Sequence, residues 1–496
     1  MNRFAGLGLG QHPVLRLLVV SSALGLLAGC AADPALGPHE KMPKAEELAG
    51  RLHLANDAAG ATPREPRGDK AWWTAYHDPE LAGWIERGLR DSPDLRIAGA
   101  RLQQAEAFLA ATHAGELPSL NFSAQSTAER LSGTGIFPPP LGGLVGTIND
   151  VDLAATLELD LFGRLASRTD AARLAAQAGA LERDLAGVRL AGAIGHAYFE
   201  LARAQQARRI AVQIETDRAK TLELVRDRVR AGLDTQVERR LAEVTVPEIR
   251  VDIERADEQI ALARHALAVL AGQAPDAADT TQARLPDDSA LAPPAALPLD
   301  LLARRADVAA AQRRVAASLR GVDAARADFY PNVNINALVG IDSLTTQRLF
   351  EYKSRTWQVG PAVHLPIFQG GSLRAALRTA SAQADEAIDT YNATVLQAAR
   401  EVADASSSIA AVRRQRAQQE LATANAQAAA DLAVTRYRAG LGNFLTVLTA
   451  QGAVLAQRRS EVDLDARAAA LDVSLALAMG GGFRDPQASN TTASKE

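Results

Sequence analysis

The chain states most of its pattern twice. Asp94-Leu95 opens a helical stretch that runs to Leu117-Pro118-Ser119-Leu120-Asn121. Asp307-Val308 opens another that runs to Tyr330-Pro331-Asn332-Val333-Asn334, an offset of 213 at both the Asp and the Pro. Further on, Arg228-Val229-Arg230-Ala231-Gly232-Leu233 matches Arg436-Tyr437-Arg438-Ala439-Gly440-Leu441 at an offset of 208, as Leu270-Ala271-Gly272 matches Ala478-Met479-Gly480. Matches at four places in order imply an internal two-fold repeat. The halves are 72–272 and 299–482, joined by a Pro/Ala/Asp-rich linker at 273–298 and followed by a polar tail at 483–496. Each half reads helix, strand, loop, strand, long helix, tight turn, helix.

The long helices carry heptad seams. Leu174, Ala178, Leu181, Leu185, Val188, Gly192, Gly195 and Phe199 step by four and three, as do Ile249, Ile253, Ala256, Ile260, Ala263, Leu267 and Leu270 on the returning helix. In the second half the seam is Ala384, Ile388, Tyr391, Val395, Ala398, Val402, Ala405, Ile409 and Val412. A 3.5-residue repeat predicts left-handed coiled-coil packing, and Pro247 predicts a kink in the first returning helix. At about 1.5 Å per residue, a helix over 166–231 spans about 100 Å. The return helix, 234–272, reaches about 58 Å, and the helix at 94–115 adds about 33 Å. The second half repeats this with 372–439 against 442–480 plus 304–327. Two long rods, each beside two shorter ones, suit a cylinder wall. With aromatics at 4% and alanine abundant, no bulky globular core is expected.

Between the helices lie segments of period two. Val151, Leu153, Ala155, Leu157, Leu159 and Leu161 alternate with polar or small residues, and so do Val333, Ile335, Ala337, Val339 and Ile341. Trp357, Val359, Pro361, Val363 and Leu365 form a third such segment; Leu120, Phe122 and Ala124 form a weaker fourth. One oily and one wet face over about ten residues fits a transmembrane β-strand and equally a soluble sheet with one buried face. Trp357, Phe122, Phe162, Tyr330 and Phe368 lie near strand ends, where interfacial aromatics belong. In lipid, four strands cannot close a barrel and open edges are not tolerated. Copies must then share one wall. Two copies give eight strands with a filled interior; three give twelve and a lumen. Loops 131–149 and 343–353 would face outward.

The N-terminus supplies a compartment. Arg3 and Arg16 precede an apolar run from Leu17 to Ala28, which ends Leu27-Ala28-Gly29-Cys30. Residues 1–29 read as a signal peptide, and the end of the run resembles the bacterial lipobox. That resemblance implies that Cys30, the single cysteine, receives lipid and heads the mature chain; Ala31 after it favours the outer membrane. Residues 30–71 form an extended segment behind the anchor. No later run of 18 apolar residues recurs, so no helix is expected to span a membrane. A net charge of -4 argues against nucleic acid. No phosphate-cradling loop, metal-ligand spacing or nucleophile constellation stands out, so no enzyme or cofactor is expected. His196 faces a seam and reads as a packed histidine rather than a ligand.

Taken in order, the motifs Trp72-Trp73 with Asp78-Pro79-Glu80-Leu81, Asp160-Leu161-Phe162-Gly163, Arg304-Arg305 with Asp307-Val308, Phe329-Tyr330-Pro331, Gly360-Pro361 with Pro366-Ile367-Phe368, and Tyr437 with Ala439-Gly440 resemble the TolC-type outer-membrane factor family, in its NodT-like lipoprotein branch. The resemblance covers nearly all of 72–482. Ala306 stands where the family usually has proline, and Gln369 where it usually has an acid. The family implies a mainly α fold with a transmembrane β-barrel: a homotrimer of twelve strands, four per chain, continuous with an antiparallel α-helical tunnel. It implies outer-membrane lipid around the barrel, a periplasmic adaptor and an inner-membrane pump as partners, and a passive exit duct of a tripartite efflux system. The pump class stays open; 343–371 leans toward the aromatic-acid exporter type.

The resemblance also points to a gate. The turns at 231–235 and 439–443 form the periplasmic tip, where Leu445 and Thr449 face the narrowest point. Threonine replaces the aspartate often found at 449, which leaves Leu445 as a hydrophobic constriction. Glu238 matches the family's tip acid and Tyr437 its tip tyrosine, and a link between them would hold the closed state. Arg228, Arg230, Arg436 and Arg438 either meet the adaptor or complement the helix dipoles. The rival reading is a coiled-coil adaptor or structural lipoprotein without a pore. It requires one hairpin and strands grouped in one place, where the sequence has two of each.

Overall fold

The computed structural model describes residues 71–136, 140, 142–286 and 305–483. The signal segment, Cys30, most of the segment behind it, Pro138 and Pro139, residues 287–304 and the tail beyond Phe483 lie outside the described residues. The elements are a 3-10 turn at Trp72–Tyr76, α1 (Pro79–Asp91), α2 (Pro93–Ala114), β1 (Ser119–Arg130), β2 (Val145–Leu159), α3 (Arg164–Arg230), α4 (Gln236–Leu270), α5 (Ala306–Ala327), β3 (Asn332–Ser343), β4 (Arg355–His364), α6 (Ser372–Arg438) and α7 (Phe444–Ala478). The protein is thus mainly helical with one small antiparallel sheet. α3 and α6 have 67 residues each, α4 and α7 35 each. Among the described residues no helix is long and apolar enough to cross a membrane.

Two compact units divide the described chain, each drawing on both halves of the sequence. One comprises 103–177 and 313–389 and holds the sheet, in the order β1-β2-β3-β4. Its register lines the oily residues up in rows. Phe122, Leu153, Val339 and Trp357 are successive cross-strand partners, and so are Ser123, Asp152, Gly340 and Thr356 in the row beside them. Period-two patterning on every strand makes this register the one that keeps like with like. Yet the oily row is uncovered: its members are 70%, 39%, 58% and 75% exposed. All twelve residues of β1 are exposed, and β1 and β4 each pair on one side only.

β1 runs twice as far as its weak alternation suggested, and β2 begins at Val145 rather than Val151. The loop between them therefore shrinks to 131–144. The extra length comes from Thr147↔Ala128, Gly146↔Glu129 and Val145↔Arg130, so cross-strand bonding extends the strands past the patterned residues. At the foot of the sheet Arg164 grips Glu158 at 2.5 and 2.7 Å. Asp160, from the Asp-Leu-Phe-Gly motif, accepts the Ala166 N–H at 2.8 Å. The same motif places Phe162 against Tyr330, stacked at 4.9 Å.

The second unit comprises 71–102, 178–286, 305–312 and 390–483 of the described residues. It corrects the expectation of no bulky core. Trp72, Trp73, Tyr76, Trp84, Tyr198 and Phe199 are buried together with Leu81, Ile85, Ile194 and Leu267. A low aromatic count limits how many rings there are, not where they gather. Asp78 caps α1, accepting from Glu80 N–H at 2.9 Å and Leu81 N–H at 3.2 Å, and its other oxygen accepts from the Tyr198 hydroxyl at 2.6 Å. The start of the linker is packed too: Thr281 accepts from the Trp84 indole at 3.2 Å and, through its carbonyl, from Gln205 at 2.9 Å. The α4 seam residues Ile249, Ile253, Ala256, Ile260 and Leu267 are buried, and so are Val395, Ala398, Val402, Ala405 and Val412 on α6. Pro247 lies inside α4.

Candidate functional site at the helical turns

The turns α3–α4 and α6–α7 share one backbone solution. Gly232 N–H donates to Val229 O at 3.1 Å and Leu233 N–H to Arg228 O at 2.9 Å; Gly440 and Leu441 do the same to Tyr437 O and Arg436 O at 3.0 and 2.8 Å. This is a Schellman ending. It needs a left-handed residue, and Gly232 and Gly440 supply it at φ 73° and 76°, where a side chain would be strained. The next helix then starts on a polar cap. Thr235 accepts from Val237 N–H at 3.1 Å while its own N–H donates to Glu238 at 2.9 Å, a reciprocal capping box. Asn443 accepts from Thr446 N–H at 2.9 Å.

What joins the two turns is not the expected pair. Glu238 is spent on the capping box, where the Thr235 bonds hold its carboxyl below the usual range. Tyr437 donates its hydroxyl to Asp234 instead, in a short hydrogen bond. Arg228 completes the group, its Nε 2.9 Å from Asp234 and its guanidinium carbon 4.6 Å above the Tyr437 ring. Burial pushes the Asp234 carboxyl up, but the bonds from Arg228 and Tyr437 outweigh it and hold the acid below its ordinary value. Burial, then Asp234, push the Tyr437 phenol up, and the Asp234 bond raises Arg228. Under this trio Leu222, Val225, Ala242, Val246, Phe444 and Val447 are buried in one cluster.

Sequence reasoning missed Asp234, and the repeat held the clue. Most of turn one has a near counterpart in turn two, but Asp234 falls opposite Gly442. The acid is the departure from symmetry, which marks it for a role that the turn itself does not need.

The remaining predicted residues stay apart from the trio. Leu445 is exposed on the first turn of α7, and the exposed Thr449 donates back to the Leu445 carbonyl at 2.9 Å. Arg230 pairs with Asp227 on its own helix. Among the described residues Arg436 donates to the Leu441 carbonyl at 3.5 Å, and Arg438 is exposed. His196 is half-buried and its pKa is lowered by burial; among the described residues no cluster of metal-ligating side chains forms around it or elsewhere.

Residues 84–273 and 297–481 match the family described as outer membrane efflux protein. The chain belongs to that family. Family members are channel proteins of the outer membrane rather than enzymes, and the outer membrane is the place of this one. Among curated relatives, the fusaric acid resistance protein FusA of Burkholderia cepacia is 34% identical over 375 residues, which cover 74% of this chain and 69% of FusA. The multidrug resistance outer membrane protein MdtP of Escherichia coli K12 is 31% identical, with 95% and 97% covered. Among solved structures, the outer membrane protein VceC of Vibrio cholerae superimposes with a TM-score of 0.78 at 32% identity, over 84% of this efflux protein and all of VceC. The outer-membrane channel OprN superimposes at 0.82 with 27% identity, over 90% and 98%.

Proposed function

We propose that this efflux protein is the passive exit duct of a tripartite system. Three copies share one twelve-stranded barrel, their long helices continue it as a tunnel, and a periplasmic adaptor and an inner-membrane pump deliver the cargo. The single observation that carries this is the sheet. Its rows are oily on one face, it lies uncovered, and both its edges are free. Neither edge is tolerable in lipid, so the copies must join edge to edge. Eight strands leave an interior filled by side chains, and twelve leave a water path. FusA and MdtP are named for resistance to fusaric acid and to multiple drugs, which suggests small toxic organic molecules as cargo. Cys30 is the lipid attachment point in this reading, and the two sequence halves are structural repeats of each other.

In the duct, the Asp234–Tyr437–Arg228 trio holds the helical end closed, and Leu445 with Thr449 lines the constriction. Arg230, Arg436 and Arg438 are left for the adaptor. Arg228 is held by Asp234 with both side chains largely buried and is withdrawn from that role, whereas the Arg230–Asp227 pair is exposed. The test is conductance of the purified full-length protein in a planar lipid bilayer, with its mass measured in detergent. Discrete conductance steps from a trimeric species are expected, enlarged in Leu445→Ser. A monomer that never conducts would defeat the reading.

A further inference from the structure

The charges of the sheet sort by sign between its two faces. Its register puts Glu129, Asp150, Asp152, Glu158 and Asp342, every carboxylate within the four strands, on the face of the Ser123, Asp152, Gly340 and Thr356 row. The strands hold two arginines and no lysine. Arg130, opposite Val145, and Arg355, opposite Ile341, both stand on the other face, with Phe122, Leu153, Val339 and Trp357. A need for solubility would scatter both signs over both faces. α2 leads into β1, β2 into α3, α5 into β3 and β4 into α6, so all four helices join the sheet at one end. Arg130 ends β1 and Arg355 begins β4, which places both at the opposite end. A lipid-facing arginine is costly in mid-bilayer and nearly neutral at its edge, where the long stem lets the guanidinium reach the headgroups.

The loop before Arg355 is held from within. Asn149, 3% exposed, donates to the Ser343 carbonyl at 3.1 Å and accepts from the Thr346 hydroxyl at 3.4 Å. Leu349 is buried, and the Ser354 hydroxyl donates to the Arg348 carbonyl at 2.8 Å. On this frame Leu344, Phe350 and Tyr352 are 66%, 86% and 78% exposed. Holding large apolar side chains out in water forgoes the gain of burying them, and a group of them marks a surface that something covers. Tyr352 lies under Arg355, whose guanidinium carbon is 4.3 Å from the centre of the ring. Tyr352 therefore belongs to the oily side, where Trp357 follows Arg355 two residues along the strand. Such a stack is ordinary at a surface, but a ring face uses none of the guanidinium's five N–H donors.

Charge identifies the partner. Residues 343–355 hold Arg348, Lys353 and Arg355 against one acid, Glu351, and that acid stands 3.9 Å from Arg348. Lys353 and Arg355, both exposed, are left side by side at the top of the oily strip. The other loop at this end, 131–144, has no charged residue, and Arg130 comes just before it. Cations and aromatic rings above an oily strip match a lipid with an anionic head. Acyl chains lie against Trp357 and Tyr352, and phosphate oxygens take the planar fork of Arg355 and the ammonium of Lys353. A neutral headgroup would leave these cations unanswered. A soluble acidic partner would not account for the oily strip below them.

We propose that Lys353 and Arg355, with Phe350 and Tyr352 beside them, bind the phosphorylated headgroup of a lipid in the outer leaflet. The proposal rests on the reading of the sheet as a membrane-spanning wall, which puts the end away from the helices at that leaflet. It assigns the loop 343–354 a task that neither passage nor closure requires: it fixes the height of the wall in the bilayer and selects the lipid next to it.

The test is lipid retention by the purified full-length protein in detergent, read by native mass spectrometry. The probe is an acylated glucosamine disaccharide carrying phosphates, set against the same lipid with its phosphates removed. The wild type should hold the phosphorylated form more tightly. Lys353→Gln with Arg355→Gln should weaken that retention about thirtyfold and leave the dephosphorylated form unchanged, with an unaltered melting temperature because both side chains are exposed. Lys353→Arg with Arg355→Lys, which keeps both charges, should retain most of the binding. Phe350→Ser with Tyr352→Ser should weaken both forms. Arg374→Gln with Arg378→Gln, exposed on α6 beyond the other end of β4, should weaken neither. Equal retention of the two forms by the wild type, or an equal loss from the α6 pair, overturns the headgroup site. Displacement by inorganic phosphate alone would show a free-anion site and overturns the lipid assignment. Each of these leaves the duct reading intact if the protein conducts in a planar bilayer; a chain that holds neither lipid and never conducts overturns both.

Discussion

The two helical hairpins of the second unit have the same lengths and the same turn, yet they are held together differently. In α3–α4 the middle of the seam is apolar: Ala211 and Ile214 are buried with Ile249 and Ile253. The positions 208 residues on in α6–α7 are Gln419, Ala422, Gln457 and Glu461, and there the Gln419 amide donates to Gln457 at 2.9 Å. An Ala–Ile contact in one hairpin is thus a Gln–Gln bond in the other. The first hairpin makes its own concession at Pro247, which lacks the N–H that would close a turn onto Glu243; Leu455 is its counterpart. In the neighbouring turn the buried Arg218 donates to the Thr245 carbonyl at 2.7 Å. The comparison teaches that backbone shape is set by length and turn chemistry, while stiffness is set by what fills the seam. A partly buried amide pair fixes alignment at a cost in stability, so α6–α7 is expected to be the softer hairpin at mid-length.

The largest test of that contrast imports the polar layer into the stiff hairpin. Ile249→Gln, facing Ala211, buries an amide without a partner and removes a packed side chain, and it should cost about 3–5 kcal/mol. The midpoint of helix loss on heating reports it. Adding Ala211→Gln should return part of the loss, and no recovery would mean that the amide pair is not what distinguishes the hairpins.

Next in size is the bond that joins them. Asp234→Asn leaves Arg228 without its acid and should cost about 1.5–3 kcal/mol, read as more frequent opening in a bilayer. The pH dependence follows from the lowered Asp234 value. A carboxyl with a depressed folded pKa contributes in full above its unfolded pKa of about 3.9 and loses the contribution as pH falls through the folded value. Tyr437 is raised, so its share is complete below about pH 10 and is lost as pH rises from there through the folded value. Opening should therefore increase in acid below the ordinary carboxylate range, and Asp234→Asn should abolish that increase.

Converting the soft hairpin to the stiff pattern is a smaller change. Gln419→Ala with Gln457→Ile should stabilise it by about 1 kcal/mol and raise hydrogen-exchange protection over 415–427 toward that of 207–219. Smallest is Glu238→Gln, which keeps an acceptor for the Thr235 N–H. Stability within about 0.5 kcal/mol of wild type and unchanged conductance are expected, against about 1 kcal/mol for Thr235→Ala. A leaky Glu238→Gln would return the gate role to that residue.

Much of this was legible in the sequence, because it rests on local signals. Heptad spacing gave the buried seams, glycine gave the helix ends, and alternation gave three of the four strands. β1 was weak because Ser119–Arg130 has few β-branched residues, and its pairing with β2, a contact distant in sequence, makes it a strand. The Tyr437–Asp234 bond was hidden for a similar reason. It joins residues 203 apart, and no local pattern says which of two acids near a turn, Asp234 or Glu238, will face the other hairpin. The aromatic cluster around Trp72 and Tyr198 escaped because composition records amounts without positions.

The unpaired outer strands bear on biogenesis. A solitary copy that entered lipid would expose the backbone of β1 and β4 to hydrocarbon, an outcome the bilayer penalises at every unbonded group. If the copies share one barrel as proposed, insertion waits for, or coincides with, the meeting of subunits. A variant that folds its helices but carries a proline in the middle of β1 should then do more than fail alone: expressed beside the normal chain, it should be recruited and spoil the shared ring.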